Sequence, residues 1–235
     1  PDWRFDLMGL SHSPRIVTDG LVFCVDAANK RSYPGAGTTW TDLTANKNNG
    51  TLQNGIAFST DKAGIFTFDA TNEYVTFSDD ISSISEATFL VWLKRIGNQL
   101  SYAGVLFSRG GGGSTTGLNF TPSSNVIGYH WNDAGNTYGW NDSTVTVPAD
   151  EWCMIALTVT SSLATIYLHK FTGLSVATNS VTHSTTNLNN IYIGVDPHNF
   201  SRRFNGQLAI GQIYNRALSA EEIKQNYLAT KGRYA

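Results

Sequence analysis

The stretch Phe204-Asn205-Gly206-Gln207-Leu208-Ala209-Ile210-Gly211-Gln212-Ile213-Tyr214-Asn215-Arg216-Ala217-Leu218-Ser219-Ala220-Glu221-Glu222-Ile223 sets a strand directly before a helix start. Gln207 to Tyr214 is rich in apolar and β-favouring side chains and reads as a strand. Ser219 then offers its hydroxyl to the first helical turn, and Glu222, three residues on, returns the bond: a capping box. Leu218 and Ile223 flank the cap as a hydrophobic staple. Ile223 and Tyr227 lie one turn apart on one face, and Gly232 follows as a stop signal. The helix is expected to seal a sheet edge or end.

Upstream of this strand the chain is a succession of short β-type runs. Leu21 to Asp26 is the first. Gly64 to Phe68 and Tyr74 to Phe77 follow, and Asp69-Ala70-Thr71-Asn72 between them reads as a hairpin turn. Ala87 to Arg95 is almost wholly apolar, as expected of a strand buried on both faces. Trp152 to Thr160 alternates, with Cys153, Ile155, Leu157 and Val159 on one face. Leu163 to Lys170 pairs with it across Ser161-Ser162 as a tight hairpin. Ile191 to Val195 precedes the closing strand. Short strands joined by polar turns, with no helices alternating between them, indicate an all-β sandwich or barrel rather than a parallel α/β sheet. No repeat or linker interrupts residues 21–235, which form one domain. Residues 1–20 read as an extended arm, since Pro14 opposes helix and Trp3, Phe5, Leu7 and Met8 follow no sustained alternation. These side chains need a surface to cover, on their own domain or on a neighbour, and mark the segment as an attachment arm.

Of the 235 residues, 41% are apolar and only 14% charged, with 22 Gly, 12 Phe, 10 Tyr and 6 Trp. Globular chains average about 25% charged residues. A formal net charge of −2 provides no basic footprint for nucleic acid and no polybasic patch for a membrane. No apolar run approaches the roughly 18 residues of a membrane span, and the polar-aromatic start lacks a signal-peptide core. Cys24 and Cys153 each lie in an apolar strand-like run and read as buried thiols. The sequons at Asn49, Asn119, Asn141 and Asn199 carry meaning only in a secreted eukaryotic protein.

The closing stretch resembles the end of laminin G-like domains of the concanavalin A-like superfamily, where a strand ending in Ile-Tyr-Asn-Arg-Ala-Leu-Ser enters a short helix. Asp19 to Ala27, Trp40-Thr41-Asp42-Leu43, Asn48 to Leu52 and Phe68 to Val75 resemble the family's other segments, in the family's order. The resemblance implies a jelly-roll β-sandwich of two antiparallel sheets with one short C-terminal helix. Val17 to Val22, Ser32 to Gly35, Gln225 to Tyr227 and Lys231 to Tyr234 are similar to versions in virion proteins of tailed phages. The family commonly has an Asp-Glu pair in the last strand, where this chain has Ala209-Ile210.

Glucanases of the superfamily set catalytic carboxylates on one strand as Glu-x-Asp-x-x-Glu or Glu-x-Asp-x-Glu, the separation that retaining hydrolysis requires. Neither pattern occurs here, no nucleophile elbow is present, and no enzymatic activity is expected. Gly110-Gly111-Gly112-Gly113 lacks the Lys and following helix of a phosphate loop and reads as a strand connection. Tyr129, His130, Trp131, Asn132, Asp133, Tyr138 and Trp140 form the candidate carbohydrate site. Aromatic faces stack on sugar rings while Asn and Asp bond hydroxyls. The competing reading packs Tyr129 and Trp131 into the sandwich and makes turns of the Asn and Gly residues. Asp196 and Asn199, in a rim-loop position, are the one candidate pair for Ca²⁺, which takes six to eight oxygens; no cofactor is otherwise expected.

The resulting expectation is a non-enzymatic virion structural protein, a capsid decoration or fibre-associated subunit displaying a lectin-like domain at the virion surface after synthesis in the host cytoplasm. Its partners would be capsid or tail subunits, further copies of itself, or host-surface glycans. The alternative is a carbohydrate-binding adhesin, extracellular or at a cell surface.

Overall fold

A computed structural model describes residues 14–110, 113–123, 125–138, 140 and 143–235. Trp3, Phe5, Leu7 and Met8 of the expected arm lie outside them. Strands are numbered in chain order. One sheet runs β13 (Gly173–Asn179), β12 (Ala164–Lys170), β11 (Trp152–Val159), β7 (Ala87–Arg95), β15 (Asn205–Tyr214), β5 (Ile65–Asp69), β4 (Ala57–Ser59). Its eighth strand, β1 (Leu21–Asp26), pairs with the C-terminal half of β15, beyond the stretch that β5 occupies. The facing sheet has seven strands: β10 (Ile127–His130), β9 (Thr115–Phe120), β8 (Gly104–Arg109), β14 (Thr186–Ile193), β6 (Tyr74–Ile84), β3 (Gly50–Gln53), β2 (Thr39–Trp40). All these pairings are antiparallel, which makes the molecule the expected jelly-roll β-sandwich.

Strand alternation builds two apolar layers. Phe89, Val91 and Leu93 of β7 face the other sheet, while Leu90 and Trp92 face outward. The inner layer is aromatic, with Trp40 packed on Phe66 at 4.6 Å and Phe23 edge-on to Phe77 at 4.9 Å. Cys24 and Cys153 are buried and unbridged, and burial raises both thiols to a pKa of about 12.

The second layer lies outside the eight-stranded sheet, beneath the long helix α2 (Ala220–Thr230), which follows the one-turn α1 (Gly135–Tyr138). Ser219 caps α2, accepting from Glu222 N and donating its own N–H to the Glu222 carboxylate, as the capping box predicts. The helix covers the face of the sheet rather than an edge or end: Trp92 stacks on Tyr227 and Tyr234, at 5.7 and 4.2 Å. The reason lies in β7 and β15, which present large apolar side chains outward. Gly232 does not stop the helix through a left-handed turn; a 3₁₀ turn at Lys231–Arg233 continues it, and Arg233 bonds Asp26 at 2.6 Å. Val17 joins this layer, donating its N–H to Asn226 Oδ1 and accepting from the Tyr214 hydroxyl, so the sandwich takes in chain ahead of β1.

A second expectation changes. Asp69 to Asn72 is no hairpin turn: β5 belongs to one sheet and β6 to the other. Asp69 Oδ1 accepts from Thr71 N and Ala70 takes a left-handed φ of 63°, turning the chain across the sandwich. Phe66 and Phe68 thereby face Val75 and Phe77 across the core instead of beside them. At Ala209-Ile210 a β-bulge puts both residues on the outer face under α2, where the family's carboxylates would be buried among apolar groups. Among the described residues no helix is long and apolar enough to cross a membrane.

Candidate functional site

Three connections meet over the outward face of the seven-stranded sheet: residues 96–103 before β8, 131–138 after β10, and 194–204 between β14 and β15. Tyr102, His130, Asp133, Tyr138, His198 and Arg202 line a cleft of about 270 Å³ there. The period-2 alternation of β10 decides which candidates reach it. Tyr129 and Trp131 point into the sandwich, fully buried. The Tyr129 hydroxyl meets His183 Nε2 at 2.9 Å, and Trp131 Nε1 donates to Ser184 O at 2.7 Å. His130, between them, points the other way and forms part of the cleft wall.

Asn132 and Asp133 both adopt left-handed φ, 53° and 54°, which folds the chain back over β9 and β10. Asn132 is a brace, donating from Nδ2 to Ser184 Oγ and Thr185 O. Thr137 locks the turn by accepting from Trp131 N and donating to Ala134 O. Tyr138 then stands 38% exposed at the cleft mouth. Trp140 is half-buried against the core, edge-on to Tyr129 at 5.8 Å. Of the seven expected residues, His130, Asp133 and Tyr138 are brought together, and the other four support them from inside or behind.

Asp133 is held by Thr115, whose N–H donates to Oδ2 at 3.0 Å and whose hydroxyl donates to Oδ1. Burial works against its charge, but the bonds from His130 and Thr115 outweigh it and keep the carboxyl below the ordinary Asp range. His130 Nδ1 faces two acceptors, Thr115 Oγ1 at 3.2 Å and Asp133 Oδ1 at 3.4 Å. In the Nδ1–H tautomer that these two acceptors favour, Nε2 carries a lone pair. That Nε2 is buried and has no hydrogen-bond partner among the described residues. Phe107, Tyr138 and Tyr102 surround the ring at 5.3, 5.4 and 5.9 Å.

The opposite wall is the 196–203 turn. Asp196 is fully buried, with Oδ1 accepting from His198 N at 2.9 Å and Oδ2 bound to Arg202 Nη1 at 2.8 Å. Asn199 Oδ1 accepts from the N–H and hydroxyl of Ser201. The two residues expected to hold Ca²⁺ thus brace the turn, and among the described residues no three His, Cys, Asp or Glu side chains converge as a metal site. Asp196 aims Arg202, whose guanidinium lies 4.5 Å above the Tyr102 ring. Gly104 allows this approach: a Cβ there would come within 2.2 Å of the Val195–Asp196 peptide. Tyr102, His198 and Arg202 were not among the sequence candidates, because each stands on a loop with no periodicity to show where it points. The one local signal is the Arg202 position, six residues after a buried Asp.

Residues 69–224 match the family described as the concanavalin A-like lectin/glucanases superfamily. The chain belongs to that superfamily. Among solved structures, this superfamily member is similar to a Trypanosoma rangeli sialidase in complex with the inhibitor DANA, at TM-score 0.64 and 14% identity over 96% of the chain. It spans only 36% of that sialidase's length. Domain 4 of AbnA, a GH43 extracellular arabinanase from Geobacillus stearothermophilus in complex with arabinotriose, matches at TM-score 0.61 and 17% identity, covering 89% of this chain and 98% of that one. The binding domain of botulinum neurotoxin serotype G matches at 0.57 and 15%, over 88% of this chain and 50% of that one. At these identities the shared property is the lectin-like fold. No curated protein sequence matches this superfamily member significantly.

Proposed function

We propose that the chain is a non-enzymatic recognition domain that holds a saccharide in the cleft between Tyr102, Tyr138, His130 and Asp133. The observation that carries this reading is His130, a side chain only 3% exposed whose Nε2 has no partner among the described residues. Buried polar atoms are normally satisfied, so an unpartnered ring nitrogen on a residue that lines a cleft supports a ligand donor there. Tyrosine rings suit the C–H faces of a sugar, and Asp133 and His130 suit its hydroxyls. The arabinanase domain solved with arabinotriose supports a saccharide as the ligand class. Paired-carboxylate hydrolysis needs two acids, and Asp133 is the one carboxylate among the described lining residues, which supports a binding role.

A glycan array followed by calorimetric titration tests the reading. At least one saccharide should bind, and Tyr102→Ala and Tyr138→Ala should each weaken it about tenfold, or 1.4 kcal/mol. Binding that neither substitution changes would refute the assignment of the cleft.

A second reading places this domain on a virion, as a decoration or fibre-associated subunit that contacts capsid or tail proteins or further copies of itself. Its support is the phage-type resemblance at Val17 to Val22 and at the C-terminus, together with an apolar strip. Phe171, Leu174 and Val176 are 48%, 51% and 48% exposed along β13 and its turn, at one edge of the eight-stranded sheet. An apolar edge strand is a surface for strand or subunit contact. Light scattering on wild type, on L174E/V176E, and on a chain lacking residues 1–13 tests it. Loss of assembly with an unchanged circular dichroism spectrum supports it; a wild-type monomer at all concentrations refutes self-association. The cut stops at residue 13 because Val17 belongs to the core.

A further inference from the structure

We infer that the cleft selects uncharged saccharides, whose hydroxyls donate to it, over sugars carrying a carboxylate or sulfate; this rests on the saccharide reading above. Among the described lining residues Asp133 is the one carboxylate and Arg202 the one Lys or Arg, while Tyr102 and Tyr138 bring hydroxyls that both donate and accept. Asp133 is acceptor-only when ionised, its carboxyl is held below the ordinary range, and its side chain is 27% exposed. In the Nδ1–H tautomer, which Thr115 and Asp133 favour, His130 Nε2 adds a second acceptor. His198, 54% exposed, has its Nδ1 3.7 Å from Asp133 Oδ2.

Among the described lining residues the one fixed cation is Arg202, and its charge is paired. Nη1 bonds the fully buried Asp196 carboxylate, and the guanidinium face lies on Tyr102. An anionic sugar would therefore meet the Asp133 carboxylate, whose neighbours among the described residues are His130 and His198 rather than a Lys or Arg, and would compete with Asp196 for Arg202. A hydroxyl meets neither penalty: it donates to Asp133 or His130 and leaves the Arg202–Asp196 pair undisturbed. Like charges brought together inside a small site are a strong discriminator, stronger than the gain from one added hydrogen bond.

The test is an array printed with neutral oligosaccharides and with their uronate, sialylated and sulfated counterparts, followed by calorimetry on the matched pair that responds, at 50 mM salt. The neutral member should bind at least tenfold more tightly, a difference of 1.4 kcal/mol. Asp133→Asn should reduce that ratio below about threefold, and Asp133→Glu, which keeps the charge, should preserve it. Because Asp133 also accepts from Thr115, wild-type protein in 500 mM salt provides an independent measurement: screening should narrow the same ratio. Equal or tighter binding of the anionic member, or a ratio that neither Asp133→Asn nor salt changes, overturns the selectivity while leaving the saccharide reading in place. No binding by any printed glycan overturns both.

Discussion

Asp196→Asn probes the wall that organises the cleft. The wild-type carboxylate is fully buried, takes one bond from His198 N and forms a 2.8 Å ion pair with Arg202. Removing one member of a buried pair costs about 3–5 kcal/mol, much of it from the charge left behind. Here Arg202 retains 25% exposure and can turn to water, and the Asn oxygen still accepts from His198 N. About 2 kcal/mol remains, the loss of one charge-assisted bond. For a domain of this size that lowers Tm by roughly 4–8 °C. Differential scanning calorimetry at pH 7 measures it, and saccharide affinity should fall with it as Arg202 leaves the Tyr102 ring. A shift below about 1 °C would refute the bracing role. So would a wild-type Tm raised several degrees by millimolar Ca²⁺ with no response in Asp196→Asn, since that would make Asp196 a cation ligand.

Further outcomes follow from the same contacts. Trp131→Ala, which empties a fully buried site, should cost about 3–5 kcal/mol in urea unfolding, whereas Tyr138→Ala should cost under about 0.5 and affect binding alone. Ser219→Ala removes the hydroxyl that accepts from Glu222 N and should cost about 1 kcal/mol by the same assay. His169 is buried against Tyr227 and near Lys224, which push its pKa down to about 4; burial lowers that of His183 as well. Both folded values lie below the unfolded imidazole's, so the unfolded chain takes protons first and stability falls as pH drops from about 6.5 toward 4. At pH 5 the His169 share is about 2 kcal/mol relative to pH 7.5, and His169→Phe should flatten the profile by that amount in denaturant titrations.

Much of the scaffold is legible in the sequence because its signals are local. The Ser219/Glu222 box, the alternation of Cys153 to Val159 and the apolar run of Ala87 to Arg95 each report nearest-neighbour physics, and each appears where expected. Position relative to a sheet is not local. Nothing in Asp69 to Asn72 distinguishes a turn within one sheet from a turn between two, because both require the same left-handed residue. The helix was legible, but its berth on Trp92 depends on which face of β7 a distant element covers. The same division runs through the cleft. Tyr129, His130 and Trp131 carry the composition of a sugar site, yet strand alternation sends two of them into the core. Tyr102, His198 and Arg202 arrive from two separate loops, joined by an ion pair and a ring contact that no linear spacing encodes.

The most direct measurement is the imidazole ¹⁵N spectrum of the five histidines during titration with the tightest-binding saccharide of the array. His130 Nε2 should shift as it gains a hydroxyl donor, saturating with the calorimetric Kd, while His169 and His183 stay fixed in their buried positions. Saturable binding that leaves the His130 resonance unmoved would place the ligand elsewhere and contradict the cleft as the recognition site.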